Sequence, residues 1–126
     1  MATINCLIIS EDIVFNEIIH RLICYKVEEV KFVGFQSFAK LKELPKEIKV
    51  DIIILDDSIS GATHYEVISH LRISKEIVAP IYFFSPADYI EKQAYSNGVN
   101  FFFKKPFEPI TVSNHIISTI QSISQK

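Results

Sequence analysis

The residues of this chain that could do chemistry stand directly behind short apolar runs. Ser10, Glu11 and Asp12 follow Leu7-Ile8-Ile9, and Asp56 and Asp57 follow Ile53-Ile54-Leu55. Ser85 follows Ile81-Tyr82-Phe83-Phe84, and Lys104 and Lys105 follow Phe101-Phe102-Phe103. If those runs are strands of one open parallel sheet, their carboxyl ends lie along the edge where such sheets bind ligands. Carboxylates, a hydroxyl and a lysine then converge there, giving an acidic site with a cation and a hydrogen-bond donor. Nucleotide-cradle chemistry is disfavoured, because the chain has only three glycines and no Gly-rich phosphate loop.

The elements that must position these groups are legible from periodicity. Runs rich in β-branched and aromatic residues predict strands over 3–9, 30–35, 51–55, 80–84 and 100–103. Between them, Phe15, Ile18, Ile19, Leu22 and Ile23 form one apolar helical stripe. A short helix over 37–44 is closed by Pro45, and Tyr65, Ile68 and Leu71 mark a third helix. A fourth spans 87–96 and ends at Asn97-Gly98, and Val112, Ile116, Ile120 and Ile123 stripe a last one after Pro109. The run 51–55 is almost wholly isoleucine and leucine, the mark of a strand covered on both faces. Successive βα units predict a doubly wound α/β domain with helices on both faces of a parallel sheet. No repeat or linker interrupts residues 1–126, which read as a single domain whose end, 122–126, is free to fray.

Composition bounds the rest. Hydrophobic residues make up 48% of 126, enough for a core without disulfides or a structural metal. The net charge is -2, and the basic residues from Lys26 to Lys49 are interleaved with Glu28, Glu29, Glu43 and Glu47. That stretch reads as a solvated face, and direct nucleic-acid binding is not expected. Cys6 and Cys24 lack metal-ligand spacing and are expected to be reduced structural thiols. His20, His70 and His115 fall at no ligand spacing and are expected at the surface. No charged-then-apolar leader opens the chain and no run is long enough to span a membrane, so the cytoplasm is the expected compartment.

Taken in order over 4–123, these landmarks resemble the receiver domains of two-component response regulators, the CheY-like superfamily. The resemblance rests on the acids behind Leu7-Ile8-Ile9 and on Ile53-Ile54-Leu55-Asp56 with Gly61 five residues on. It rests equally on Ser85 behind its strand, and on Gly98 ahead of Phe101-Phe102-Phe103-Lys104-Lys105-Pro106-Phe107. It implies a flavodoxin-like fold, a (βα)5 unit with a five-stranded parallel sheet in the order 2-1-3-4-5. It also implies a signalling domain rather than an enzyme, with transfer of a phosphoryl group to Asp56 from a histidine on a sensor kinase or phosphotransfer protein. In-line attack by a carboxylate spreads charge over the phosphoryl oxygens, and Mg²⁺ offsets it. The resemblance makes Glu11, Asp56 and the backbone carbonyl of Ser58 the metal ligands, with Ser10, Asp12 and Asp57 as accessory residues. Lys105 becomes the phosphate-pairing cation, Ser85 the hydroxyl that follows the phosphoryl group, and Phe102 the switch aromatic. A cis Lys105-Pro106 bond is implied too. The partners implied are the kinase or phosphotransfer protein and an output protein or domain reading the fourth helix, fifth strand and last helix. Homodimerisation through the last two helices is common in the family.

The chain also departs from the family pattern. Ser10 replaces the first of two acids, and Glu11 is one methylene longer than the usual aspartate. Ser60 replaces a proline, and His64 replaces a glycine. Losing an acid lowers the expected Mg²⁺ affinity and relieves repulsion on Asp56. A second reading follows, a pseudo-receiver that binds partners constitutively without phosphorylation. Asp12 suits an N-cap or first-turn role on the first helix, Asp57 is expected to face solvent, and His64 is expected to be a solvent-facing first-turn residue rather than one that influences how water or a kinase approaches the site.

Overall fold

A computed structural model describes residues 3–25, 27, 29–45 and 47–124; Lys26 and Glu28 of the interleaved charged stretch, and the last two positions of the expected frayed end, lie outside the described residues. The chain runs β1 (Ile4–Ile9), α1 (Ile13–Cys24), β2 (Val30–Phe35), α2 (Phe38–Leu41) and β3 (Ile52–Asp56). It continues through α3 (His64–Ser69), β4 (Ile81–Ser85), α4 (Glu91–Ser96), β5 (Phe101–Lys104) and α5 (Pro109–Ser124). A π-helical turn, His70–Ser74, extends α3, and a 3₁₀ turn, Asp88–Ile90, leads into α4. The strands are parallel in the order β2-β1-β3-β4-β5, as expected. Among the described residues, no helix is long and apolar enough to cross a membrane.

Strand alternation divides the core in two. On one face, Leu7, Ile9, Ile53, Leu55 and Phe83 pack with Leu41, Val67, Ile68, Leu71 and Ala94, so α2, α3 and α4 lie there. On the other, Cys6, Ile8, Ile52, Ile54, Tyr82 and Phe84 meet Phe15, Ile19 and Ile23 of α1 and Val112, Ile116 and Ile120 of α5. Every residue of β3 is buried, which explains its unbroken apolar run.

Several expectations are corrected. The buried stripe of α1 is narrower than predicted: Phe15, Ile19 and Ile23 are buried at i, i+4 spacing, while Ile18 stays 41% exposed and Leu22 is half-buried. The helix expected over 37–44 shrinks to four residues before the chain breaks into turns. Cys6 is a buried core thiol, but Cys24 is exposed and packs in neither core. Nor is His115 a plain surface residue. Its Nδ1 lies 2.7 Å from the Tyr82 hydroxyl, and its ring meets Phe101 edge-on at 4.4 Å between centroids. His70 is likewise half-buried, edge-on to Phe38.

The end of the sheet opposite the polar residues is held by Arg72. Its guanidinium donates to the carbonyls of Ile77 (2.9 Å), Ala79 (2.7 Å) and Gly98 (2.8 and 3.2 Å) and to Asn100 Oδ1 (2.8 Å). Asn100 Oδ1 in turn accepts from the Ile81 amide at 2.9 Å. One planar cation thus ties the approach to β4 to the α4–β5 turn, where Gly98 adopts φ +113°. Arg72→Met is expected to lower the unfolding free energy by about 2–3 kcal/mol, because several carbonyls lose a charged donor. Urea unfolding checks this, and Arg72→Lys should recover less than half of the loss.

Candidate functional site

The site lies across the carboxyl ends of β1, β3, β4 and β5, and strand register sets its geometry. Ile9 pairs with Leu55, so the next residues along, Ser10 and Asp56, face one another. The Ser10 hydroxyl donates to Asp56 Oδ2 at 2.6 Å, and both residues are completely buried. The hydroxyl oxygen also accepts from the Asp12 amide at 3.0 Å, which fixes its direction.

Opposite, Ser85 pairs with Lys104, and the chain turns at a cis Lys105–Pro106 bond. Lys105 Nζ forms an ion pair with Asp56 Oδ1 and a second, at 3.1 Å, with Asp57 Oδ1. The ammonium also sits 4.9 Å from the centre of the Phe15 ring. Each oxygen of Asp56 therefore has a donor, one a hydroxyl and one an ammonium. Ser85 is buried beside them, its Oγ accepting from the Ala87 amide at 3.1 Å. Phe102 is half-buried, edge-on to Phe83 at 5.7 Å, and its amide donates to the Tyr95 hydroxyl at 3.1 Å.

No protein-family model matches the chain, and no curated protein does. Solved structures match it at low identity. One is the chemotaxis response regulator CheY4 of Vibrio cholerae, at 20% identity and a TM-score of 0.73, covering 94% of this chain and 99% of that one. Another is a two-component response regulator from Clostridium difficile, at 15% identity and a TM-score of 0.81, covering 96% and 98%. A third is a BeF3-activated DrrB receiver domain, at 12% identity and a TM-score of 0.75, covering 95% and 99%. The fold is that of a receiver domain.

Within this fold, Glu11 is tied to the loop that follows β3. Its side chain accepts from the Ser58 hydroxyl at 3.3 Å and from the Ser60 hydroxyl, while its amide donates to the Ser58 carbonyl at 2.8 Å. Asp12 is the N-cap of α1, as expected, accepting from the amides of Val14 (3.0 Å) and Phe15 (3.1 Å). Asp57 is exposed but not free, since it shares Lys105. His64 also departs from expectation: its ring stacks on Phe83 at 5.1 Å, and its Nε2 is buried without a hydrogen-bond partner. Sequence reasoning missed Ser60 as a partner of Glu11 and Tyr95 as the acceptor for Phe102. The one available signal was Ser60 itself, a hydroxyl where the family places proline.

The resemblance implies Mg²⁺, and the donor chemistry fits it. Two carboxylates, Asp56 and Glu11, and the Ser58 carbonyl are all hard oxygen donors, and Mg²⁺ needs only one or two carboxylates because it keeps several waters. Among the described residues, no group of three or more His, Cys, Asp or Glu side chains is placed to hold a metal, so an all-protein transition-metal cage is not what the set resembles.

Burial pushes the Asp56 carboxyl above its usual range; Lys105 and Ser10 pull it down only in part, and Asp57 adds to the rise. Burial alone would lower Lys105, but its bonds to Asp56 and Asp57 outweigh that and hold the ammonium above its ordinary value. Burial lowers His64, against the pull of Asp57. The signs differ for stability. A raised Asp56 means that its ionisation opposes folding, a cost present at neutral pH and relieved as pH falls through the folded value. The raised Lys105 contributes stability that is complete below the ordinary lysine range and lost as pH rises through its folded value. Ser10→Ala removes a donor from the buried carboxylate. It is expected to raise Asp56 further and to cost about 1–3 kcal/mol at neutral pH, with the deficit shrinking in mild acid. Carbon-13 NMR of the Asp56 carboxyl and urea unfolding at both pH values measure the two effects.

Proposed function

We propose that the chain is a phosphoacceptor receiver domain in which Asp56 takes a phosphoryl group from a histidine of a sensor kinase or phosphotransfer protein. The observation that carries this is the buried Asp56 carboxylate at the end of β3, ion-paired to Lys105, with the Ser85 hydroxyl at the end of the next strand. A carboxylate oxygen of Asp56 attacks phosphorus in line as the bond from phosphorus to the donor imidazole breaks. Ser10 and Lys105 hold the carboxylate oriented for that attack. Lys105 then pairs with the phosphoryl oxygens, and Ser85 turns its hydroxyl from its own loop to donate to them. Mg²⁺, when held by Glu11, Asp56 and the Ser58 carbonyl, offsets charge on the transferring oxygens.

The product adds nearly two negative charges to a site balanced by one lysine. Lys105 and Ser85 close on that charge, which biases the α4–β5–α5 surface, where Phe102 sits, toward a second arrangement read by an output protein or domain. The BeF3-activated receiver among the similar structures supports this reading, since it is activated by a phosphoryl mimic.

A specific observation favours a second reading, the phosphorylation-independent interaction module. Ser10 and Lys105 between them give each oxygen of Asp56 a donor from the chain itself, with no metal ion required. Acetyl phosphate with Mg²⁺, followed by intact mass, separates the two. The first reading expects one phosphoryl group on the wild type, none on Asp56→Asn, and labelling of Lys105→Ala slowed about tenfold or more, by loss of the charge that stabilises the transferring group. A folded wild type that gains nothing favours the interaction module.

A further inference from the structure

We propose that the hydroxyls of Ser58 and Ser60 form a latch on Glu11 that sets how readily this site takes up a divalent cation. The latch rests on the reading of Glu11 and Asp56 as cation ligands, and it concerns how access to them is regulated.

Glu11 is held to the β3–α3 loop by both backbone and side chain. Its amide donates to the Ser58 carbonyl at 2.8 Å, Oε1 accepts from the Ser58 hydroxyl at 3.3 Å, and Oε2 accepts from the Ser60 hydroxyl. The glutamate methylene gives the carboxylate the reach to find both serines. The loop is anchored on its far side as well: the Ser60 carbonyl accepts from the Phe38 amide at 2.9 Å, and Ser60 forms a parallel bridge with Ser37, the N-cap of α2. Glu11 is therefore clamped against a braced loop, although its carboxylate lies in solvent.

The carboxylate oxygens of both ligands are thus already met by donors of the chain. Asp56 is met by Ser10 and Lys105, and Glu11 by Ser58 and Ser60. Asp12 is no substitute, because its carboxylate caps α1. A cation reaching Glu11 competes with two hydroxyl donors for the carboxylate, so its binding is set against the hydrogen bonds that hold Glu11 to the β3–α3 loop. A purely structural role for the serines predicts the opposite sign. Removing them would then loosen the site and weaken cation binding.

Mg²⁺ titrations followed by backbone amide NMR test the latch on the wild type, Ser60→Ala and the Ser58→Ala/Ser60→Ala double variant. The double variant should bind Mg²⁺ about threefold to tenfold more tightly, since two hydrogen bonds to a charged group no longer compete. Ser60→Ala alone should show a smaller tightening, and it carries the test if the double variant fails to fold. Glu11→Asp, which withdraws the carboxylate from the serines, should tighten binding in the wild type and add nothing in the double variant. Equal or weaker affinity in both serine variants, or no Mg²⁺ binding by any of them, overturns the latch. Labelling the same samples with acetyl phosphate keeps the two ideas apart. Tightening without phosphoryl gain leaves the latch standing and sinks the phosphoacceptor reading; phosphoryl gain without tightening does the reverse.

Discussion

A carboxylate with no exposed surface cannot persist in a protein unless other groups replace the water it has lost. Asp56 is in that position, and the carboxyl edge of the sheet is organised around it. The β1–β3 register delivers the Ser10 hydroxyl to one oxygen, and the turn after β5 delivers the Lys105 ammonium to the other. Neither arrives unless the strands keep their pairing, and the pairing is held by two apolar cores that bury β3 completely. The demands of one buried charge are thus met by strand register, and register is met by packing on both faces.

The compensation is incomplete. Burial still raises Asp56, so the site retains a carboxylate that is costly to keep ionised. A group held in that condition responds to a change of partners, and such perturbed residues concentrate at functional sites. Lys105 is shared between Asp56 and Asp57, so any new anion at Asp56 competes for a cation already divided between two acids. On the same sheet a chain of ring contacts runs out toward α4. His64 stacks on Phe83, Phe83 meets Phe102, and the Phe102 amide is tied to Tyr95 of α4.

Much of this was legible in the sequence, for identifiable reasons. The isoleucine-leucine run of β3 announces a doubly covered strand because no polar residue interrupts it. Asp12 announces a cap because a carboxylate stands just ahead of an apolar helical stripe. Gly98 announces a turn, and the structure gives it a φ of +113°. Strand order, by contrast, is a matter of long-range pairing, and only the resemblance supplied it. Side-chain partnerships across loops were not legible. Ser10 looked like a lost acid and is in the structure a hydrogen-bond donor to Asp56. Glu11 looked only like a metal ligand, and in the structure its carboxylate accepts from the Ser58 and Ser60 hydroxyls. His64 and His115 looked like surface residues because helical spacing carries no information about the aromatic rings of the neighbouring sheet.

The claim that Asp56 is the centre to which Ser85, Lys105 and Phe102 respond is tested most directly by beryllofluoride, a phosphoryl mimic, added with Mg²⁺ while backbone amides are followed by NMR. The account predicts saturable shifts at Asp56, Ser85 and Lys105 that extend to Phe102 and Tyr95 and vanish in Asp56→Asn. A folded domain whose amides at those positions do not move, with Mg²⁺ in excess, would contradict it.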